Sequence, residues 1–183
     1  MKKGLALIII FFLLIQYTEQ YCITQFKQQQ SILKGNHKNV LQLQKGSLIS
    51  SKKINFFEYG NNASFLKDNP YTIMTNGVDF TYCQLGKYIS MTPMQKYLLN
   101  TLKIWLWEFD YIFQNQFRYY DIIIYAILNN EKTKIYENKQ ANCIVTIEFP
   151  DQFVEEFQVL NVGGNTINME LHIIKAEAYY KYS

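Results

Sequence analysis

The stretch that decides the fold runs from Leu102 to Asn138, LKIWLWEFDYIFQNQFRYYDIIIYAILNNEKTKIYEN. Successive side chains of a strand point to opposite faces. Leu102, Ile104 and Leu106 therefore share one face, and Lys103, Trp105 and Trp107 the other. Tyr120, Ile122, Ile124 and Ala126 line one side of a second and more apolar run, which closes on Asn129-Asn130 before the charged EKTKIYEN. Between the two runs lies an interval of Tyr, Ile, Phe, Gln and Asn, from Tyr111 to Gln116, that a plain hairpin does not need.

Working outward, the same period of two recurs. Toward the N-terminus, DFTYCQLGKYI puts Phe80, Tyr82 and Gln84 on one parity and Thr81, Cys83 and Leu85 on the other. Toward the C-terminus, CIVTIEFP alternates Cys143, Val145, Ile147 and Phe149 with Ile144, Thr146 and Glu148. Pro150 is expected to end that strand, because proline cannot donate to a ladder. EEFQVLNV and LHIIKAEAYYKY complete the series. From Ile54, short apolar runs broken by Gly, Asn and Pro suit strands joined by turns. Only TPMQKYLLNTL competes as a helix, through Met94, Leu98 and Leu102, and it is short enough to be a turn. Many short strands without βαβ spacing predict an all-β fold, a two-sheet antiparallel sandwich or jelly roll.

Composition agrees. Of 183 residues 16% are aromatic and only 18% charged, which fits a β-rich domain better than a coiled coil or a disordered tail. The net charge of +3 is spread in short pairs such as Lys52-Lys53, so the electrostatic footprint of a nucleic-acid binder is missing.

Lys2 and Lys3 precede an unbroken apolar run, Leu5 to Ile15, that is shorter than the roughly 20 residues a membrane span needs. Residues 1–20 read as a signal peptide, with a signal anchor as the alternative, and both place the bulk of the chain across the membrane. The expectation is a secreted or extracellular-surface protein with no membrane span after signal removal. Residues 21–53, rich in Gln, Lys and Ser, read as an irregular lead-in with a short strand at Val40 to Leu43, and 54–183 as the folded domain. His37, in the lead-in, has no metal-ligating neighbour at useful spacing. In an oxidising compartment Cys83 and Cys143 are either small buried side chains or a bridge between facing strands.

The span Asn69 to Tyr180 resembles the discoidin-like domains, the coagulation-factor C-type group of galactose-binding-like jelly rolls. The nearest variety is the one found in BTB- and Kelch-associated proteins. PYTIMTNG, YCQLGK, YLLNTLKIWLWEFD, FRYYDIIIYAILNNEK, TIEFP, FQVLNV and LHIIKAEAYY are similar to the family's strands, and in its order. Glu108 stands where Asp is usual, and Asn129-Asn130 replaces Asp-Gly. Glu155 and Gln158 stand where basic residues are frequent, and Tyr111 to Gln116 is an insertion. The resemblance implies a non-enzymatic binding or adhesion module that reads sugars, phospholipids or proteins with loops at one end of the sandwich.

Loops are where such a scaffold carries binding variation. The candidate recognition loops are Gly60 to Asn69, Tyr111 to Phe117 and Asn161 to Met169. Tyr111, Phe113, Gln114 and Phe117 are candidate contacts for a carbohydrate or protein ligand, with Glu108, Asp110 and Arg118 as the flanking charged set. The simpler reading of that set is a carboxylate–Arg pair bracing the loop. Trp105 and Trp107 are expected to cover a sheet edge or pack under the N-terminal segment, a sugar-stacking platform being the alternative. His172 reads as a hydrogen-bonded structural residue. With two histidines in the chain no Ser-His-Asp or Cys-His arrangement assembles, and NVGGN opens no helix to cradle phosphate. Neither enzymatic activity nor a cofactor is expected. Asn62, in Asn62-Ala63-Ser64, is a glycosylation acceptor if the chain is secreted. A structural subunit of an extracellular or ciliary assembly is the competing expectation.

Overall fold

The computed structural model describes residues 38–42, 47–48, 80–110 and 116–182. The leader, residues 49–79 with Asn62, and Tyr111 to Asn115 lie outside the described residues. Ten strands carry the fold: β1 (Thr81–Gln84), β2 (Tyr88–Met91), β3 (Tyr97–Leu106), β4 (Phe109–Asp110), β5 (Gln116–Phe117), β6 (Tyr120–Leu128), β7 (Glu131–Ala141), β8 (Ile144–Val154), β9 (Glu156–Asn165) and β10 (Glu170–Tyr179). There is no helix among the described residues, and Met94 to Leu102 enters β3 rather than a helical turn.

One sheet has the order β1-β10-β3-β8 and the other β2-β9-β6-β7, with β4 and β5 as a separate two-stranded ladder. Every pairing is antiparallel. Of the strand pairs, only β4–β5 and β6–β7 join neighbours in sequence, so the chain otherwise crosses between sheets or skips strands. This is the two-sheet antiparallel sandwich expected from the alternation.

The facing sides of the two sheets form the core. Leu102, Ile104 and Leu106 of β3 are all at 0% exposure and meet Ile122, Ile124 and Ala126 of β6, Val145 and Ile147 of β8, and Phe157 and Val159 of β9. Each Leu, Ile, Val or Phe among them contributes about 1.5–3 kcal/mol by leaving water. In β10 the inward parity changes from Leu171 and Ile173 to Ala176 and Ala178. A bulge between Ile173 and Lys175 opposite Leu106 and Trp105 makes that change, since one extra residue flips all later side chains.

Two expectations are corrected. Strand β8 runs through Pro150 to Val154. It is an edge strand, and the step Glu148–Gln152 lies opposite the shorter step Leu99–Thr101, so Pro150 falls in a bulge where no ladder donor is required. The packed unit also reaches back beyond residue 54. Val40 and Leu41 are buried in the core, Val40 N–H donates to Ala178 O (2.8 Å), and Leu48 bridges Thr92. Residues 40–42 form no strand, Leu43 lies outside the described residues, and Asn39 Oδ1 accepts from the N–H groups of Leu41 and Ala178. Of the two readings of the cysteines the unbridged one holds, with Cys83 buried and Cys143 half-buried.

Asn129 and Asn130 have φ of 50° and 66°. Two successive positive values define the type I′ hairpin turn, which matches the twist of its flanking strands and which Asn tolerates better than most residues.

Candidate functional site at the loop end of the sandwich

The β1–β2 turn, the β4–β5 ladder, the β7–β8 turn and the β9–β10 connection gather at one end of the sandwich. The β6–β7 turn, the β8–β9 link and residue 40 lie at the other. Of the three candidate loops, two are thereby brought together. Phe109 pairs with Phe117 and Asp110 with Gln116 in a short ladder. Thr166, from the β9–β10 connection, donates its hydroxyl to Phe117 O (3.0 Å), and its N–H bonds Tyr119 O (3.1 Å). Phe117 and Tyr119 are both exposed, at 57% and 42%.

Asparagine amides build the β9–β10 connection. Asn161 Nδ2 donates to Cys83 O (3.1 Å) and Met169 O (3.0 Å), while its Oδ1 accepts from Gly164 N–H (2.7 Å). Asn165 Oδ1 accepts from the backbone of Ile167 and Asn168, and its Nδ2 donates to Glu170 O. Gly164 has φ of 79°, and a Cβ there would stand 2.6 Å from Asn168 O and Met169 Cα. NVGGN thus serves as a fixed scaffold for the loop. Sequence reading, which weighed it as part of a recognition loop and as a phosphate cradle, missed this role, although clustered Asn and Gly is a signal for side-chain-built turns.

Beneath the loops lies an aromatic and charged base. Phe80 stacks on Trp107 (5.0 Å between centroids), and His172 stands edge-on to both. Arg118 is 2% exposed, its guanidinium 4.2 Å from the Trp107 ring centroid and its Nη1 donating to Asn165 Oδ1 (3.4 Å). Its backbone N–H donates to Glu108 O (2.9 Å). Buried at that depth, Arg118 braces the loops from below and presents no face to a ligand. Trp107, half-buried, joins the same base between Phe80 and Arg118. Trp105 lies on the outer sheet face under Lys103 and Lys175.

His172 Nε2 meets Glu170 Oε2 at 3.0 Å, and Gln84 donates to the other oxygen of that carboxylate (2.7 Å). Its Nδ1 is 3.4 Å from the Tyr120 hydroxyl, which donates to Trp107 O (2.8 Å). Burial, and after it the Arg118 charge, push His172 down to about 3. Glu170 pulls the other way, but its carboxylate is 30% exposed and shared with Gln84, so burial wins. A neutral, buried imidazole cannot reach a substrate. Burial and the neighbouring Glu108 carboxylate together raise the Cys143 thiol to about 11, which removes it as a nucleophile at neutral pH. Among the described residues no three His, Cys, Asp or Glu side chains are placed to hold a metal ion.

Of the sequence candidates, Phe117 is at the surface, Arg118 is inside, and Glu108 lies beside Cys143. Asp110 contributes a backbone pairing, and Tyr111, Phe113 and Gln114 are outside the described residues.

A sandwich with this connectivity and its loops gathered at one end is found among carbohydrate-binding modules. The fold is the discoidin-like, galactose-binding-like jelly roll. A family 32 carbohydrate-binding module of Clostridium perfringens NanJ, solved with galactose, is 16% identical with a TM-score of 0.55, over 78% of this chain and 98% of that one. A chitosan-binding module from a Paenibacillus chitosanase/glucanase is 14% identical with a TM-score of 0.55, over 78% and 99%. A Clostridium perfringens enzyme solved with GlcNAc-alpha-1,4-galactose matches 80% of this chain (16% identity, TM-score 0.56), but this chain spans only 15% of it. No family model matches the sequence, and no curated relative aligns with it.

Proposed function

We propose that this chain is a secreted, non-enzymatic recognition module that binds carbohydrate through the loop end of the jelly roll. One observation carries the reading. Two residues with exposed rings, Phe117 and Tyr119, have their backbone carbonyls bonded by Thr166 of an amide-built loop, beside a base of Trp107, Arg118 and His172. Sugar recognition combines an apolar ring face with directional hydrogen bonds on a preorganised support. The galactose- and chitosan-binding modules that share the fold support the ligand class. The basic and apolar leader supports export.

Glycan-array screening followed by titration calorimetry tests the reading. Binding that drops at least about tenfold in Phe117→Ala and Tyr119→Ala, with Met94→Ala at the far end unchanged, is the expected result. Retained affinity in both ring variants would place the ligand elsewhere.

A structural subunit of an extracellular or ciliary assembly is the second reading. Leu85, Val162 and Met169, all exposed at the same end, favour it. A chain that is soluble only with partners supports assembly, and a monomer retained on glycans supports recognition.

A further inference from the structure

We infer that a second ligand site, beside the bulge of the β3–β8 pair, takes one neutral sugar ring. It lies apart from the loop end and does not depend on the reading given for that end. Strand β8 carries extra residues between Glu148 and Gln152, opposite the step from Leu99 to Thr101. Such bulges disrupt a ladder and re-aim side chains. Here they border a cleft of about 220 Å³ lined by Asn100, Thr101, Glu148, Phe149, Lys181 and Tyr182.

The Asn100 amide builds that cleft. Its Nδ2 donates to Lys181 O (2.8 Å) and to Asp151 Oδ1 (3.1 Å). Its Oδ1 accepts from Lys181 N–H (2.8 Å) and from the Thr101 hydroxyl (3.1 Å). Asp151 accepts the Tyr180 hydroxyl on its other oxygen (2.6 Å). The residues after β10 are thereby held against β3 and β8. Lys181 Nζ donates to Glu148 Oε1 (2.7 Å), and the Tyr182 ring, 46% exposed, stands edge-on to Tyr180 at 5.1 Å.

Glu148 and Lys181 form the rim, with side chains 65% and 60% exposed. Side by side they present carboxylate acceptors and ammonium donors, the complement of two adjacent hydroxyls on one ring. Their charges cancel, so an ion of either sign meets a charge of its own sign along with the opposite one, whereas a neutral polyol uses both groups. Phe149 and Tyr182 supply the apolar part of the lining, against which a sugar's ring face can lie. The cleft is smaller than the roughly 300–1,000 Å³ of sites for drug-sized ligands, which limits the occupant to a single ring.

The test is amide correlation NMR of the full chain titrated with galactose, glucose and N-acetylglucosamine, with acetate and ethylammonium as charged controls. At least one sugar should shift the amides of Asn100, Glu148, Lys181 and Tyr182, with millimolar affinity as befits so small a ligand. Tyr182→Ala and Glu148→Gln, both at the surface, should each weaken that binding at least about fivefold, and Tyr88→Ala on the other sheet should leave it unchanged. The inference is overturned if no sugar shifts these amides up to about 100 mM, if either ion shifts them as much, or if both cleft variants bind like the parent. Shifts confined to the loop end, around Phe117 and Thr166, would overturn it while supporting the loop-end reading. Shifts confined to the cleft would support it and count against that reading.

Discussion

The guanidinium of Arg118 lies 4.2 Å from the centre of the Trp107 ring, and both groups sit under the loops. Trp107 follows β3 and Arg118 follows β5, so the stack ties the β4–β5 ladder to the sandwich at its root. A desolvated cation–π contact is worth about 2 kcal/mol, and a hydrogen bond to a charged group adds roughly 1.5–3. Arg118→Ala should lower unfolding stability by about 3.5–5 kcal/mol. Arg118→Lys should recover less than half of that, because an ammonium lacks the flat face that matches the indole. Urea titrations followed by tryptophan fluorescence check both.

Acid should weaken the fold through His172. Its native value of about 3 is below the 6.5 of an unfolded histidine, so between those pH values the unfolded chain binds the additional proton. The stabilisation from the neutral ring is fully present above pH 6.5 and is lost as pH falls toward 3, with a slope of at most about 1.4 kcal/mol per pH unit. His172→Gln should flatten the profile of denaturant midpoint against pH in that window. A wild-type profile that is already flat there would refute the buried-neutral assignment.

Gly164 answers to geometry more than to helix or strand preference. With φ at 79° and a prospective Cβ 2.6 Å from backbone atoms of Asn168 and Met169, Gly164→Ala must move the loop. A loss of about 1–3 kcal/mol is expected, with chemical-shift changes concentrated between Asn161 and Glu170. A variant that melts with the wild type would show the loop to be softer than its hydrogen bonds imply.

The β6–β7 turn allows an opposite prediction. Asn130→Gly should stabilise by a few tenths of a kcal/mol to about 1 kcal/mol, since Asn-Gly is the favoured type I′ pair. Asn129→Val places a β-branched residue at φ 50° and should cost about 1 kcal/mol or more. Thermal midpoints of the two variants should fall on opposite sides of the parent.

Leu41 is fully buried in the core although it precedes the first strand by some forty residues. Leu41→Ala should cost about 2–5 kcal/mol, as for other core leucines. A chain begun at residue 54 should be destabilised by at least as much in the same urea assay.

The alternation of Leu102, Ile104 and Leu106, and of Tyr120, Ile122 and Ile124, was enough to reveal both sheets, because one buried face leaves a period of two in the sequence. The pairing of strands was not legible in this way, since β1–β10 and β2–β9 join residues far apart along the chain. Pro150 misled because its meaning depends on whether the strand has a neighbour on that side. Val40 and Leu41 were hidden in a polar neighbourhood, where two apolar residues make no period. At the loop end, Phe117 and Arg118 were both legible as noteworthy. Their opposite fates, one at the surface and one beneath it, depend on which side of the β5–β6 junction each backbone position faces. His172 and Trp107 meet only through folding, and no local pattern announces that contact.

The backbone link between Val40 and Ala178 places both flanks of the packed unit at the pole away from Phe117 and Tyr119. A tether or fusion partner joined on either side would hold the module like a stalk, with the loop end proposed for recognition pointing outward. Several copies strung on one scaffold could then engage a dense surface together, so weak individual grips would combine into durable attachment.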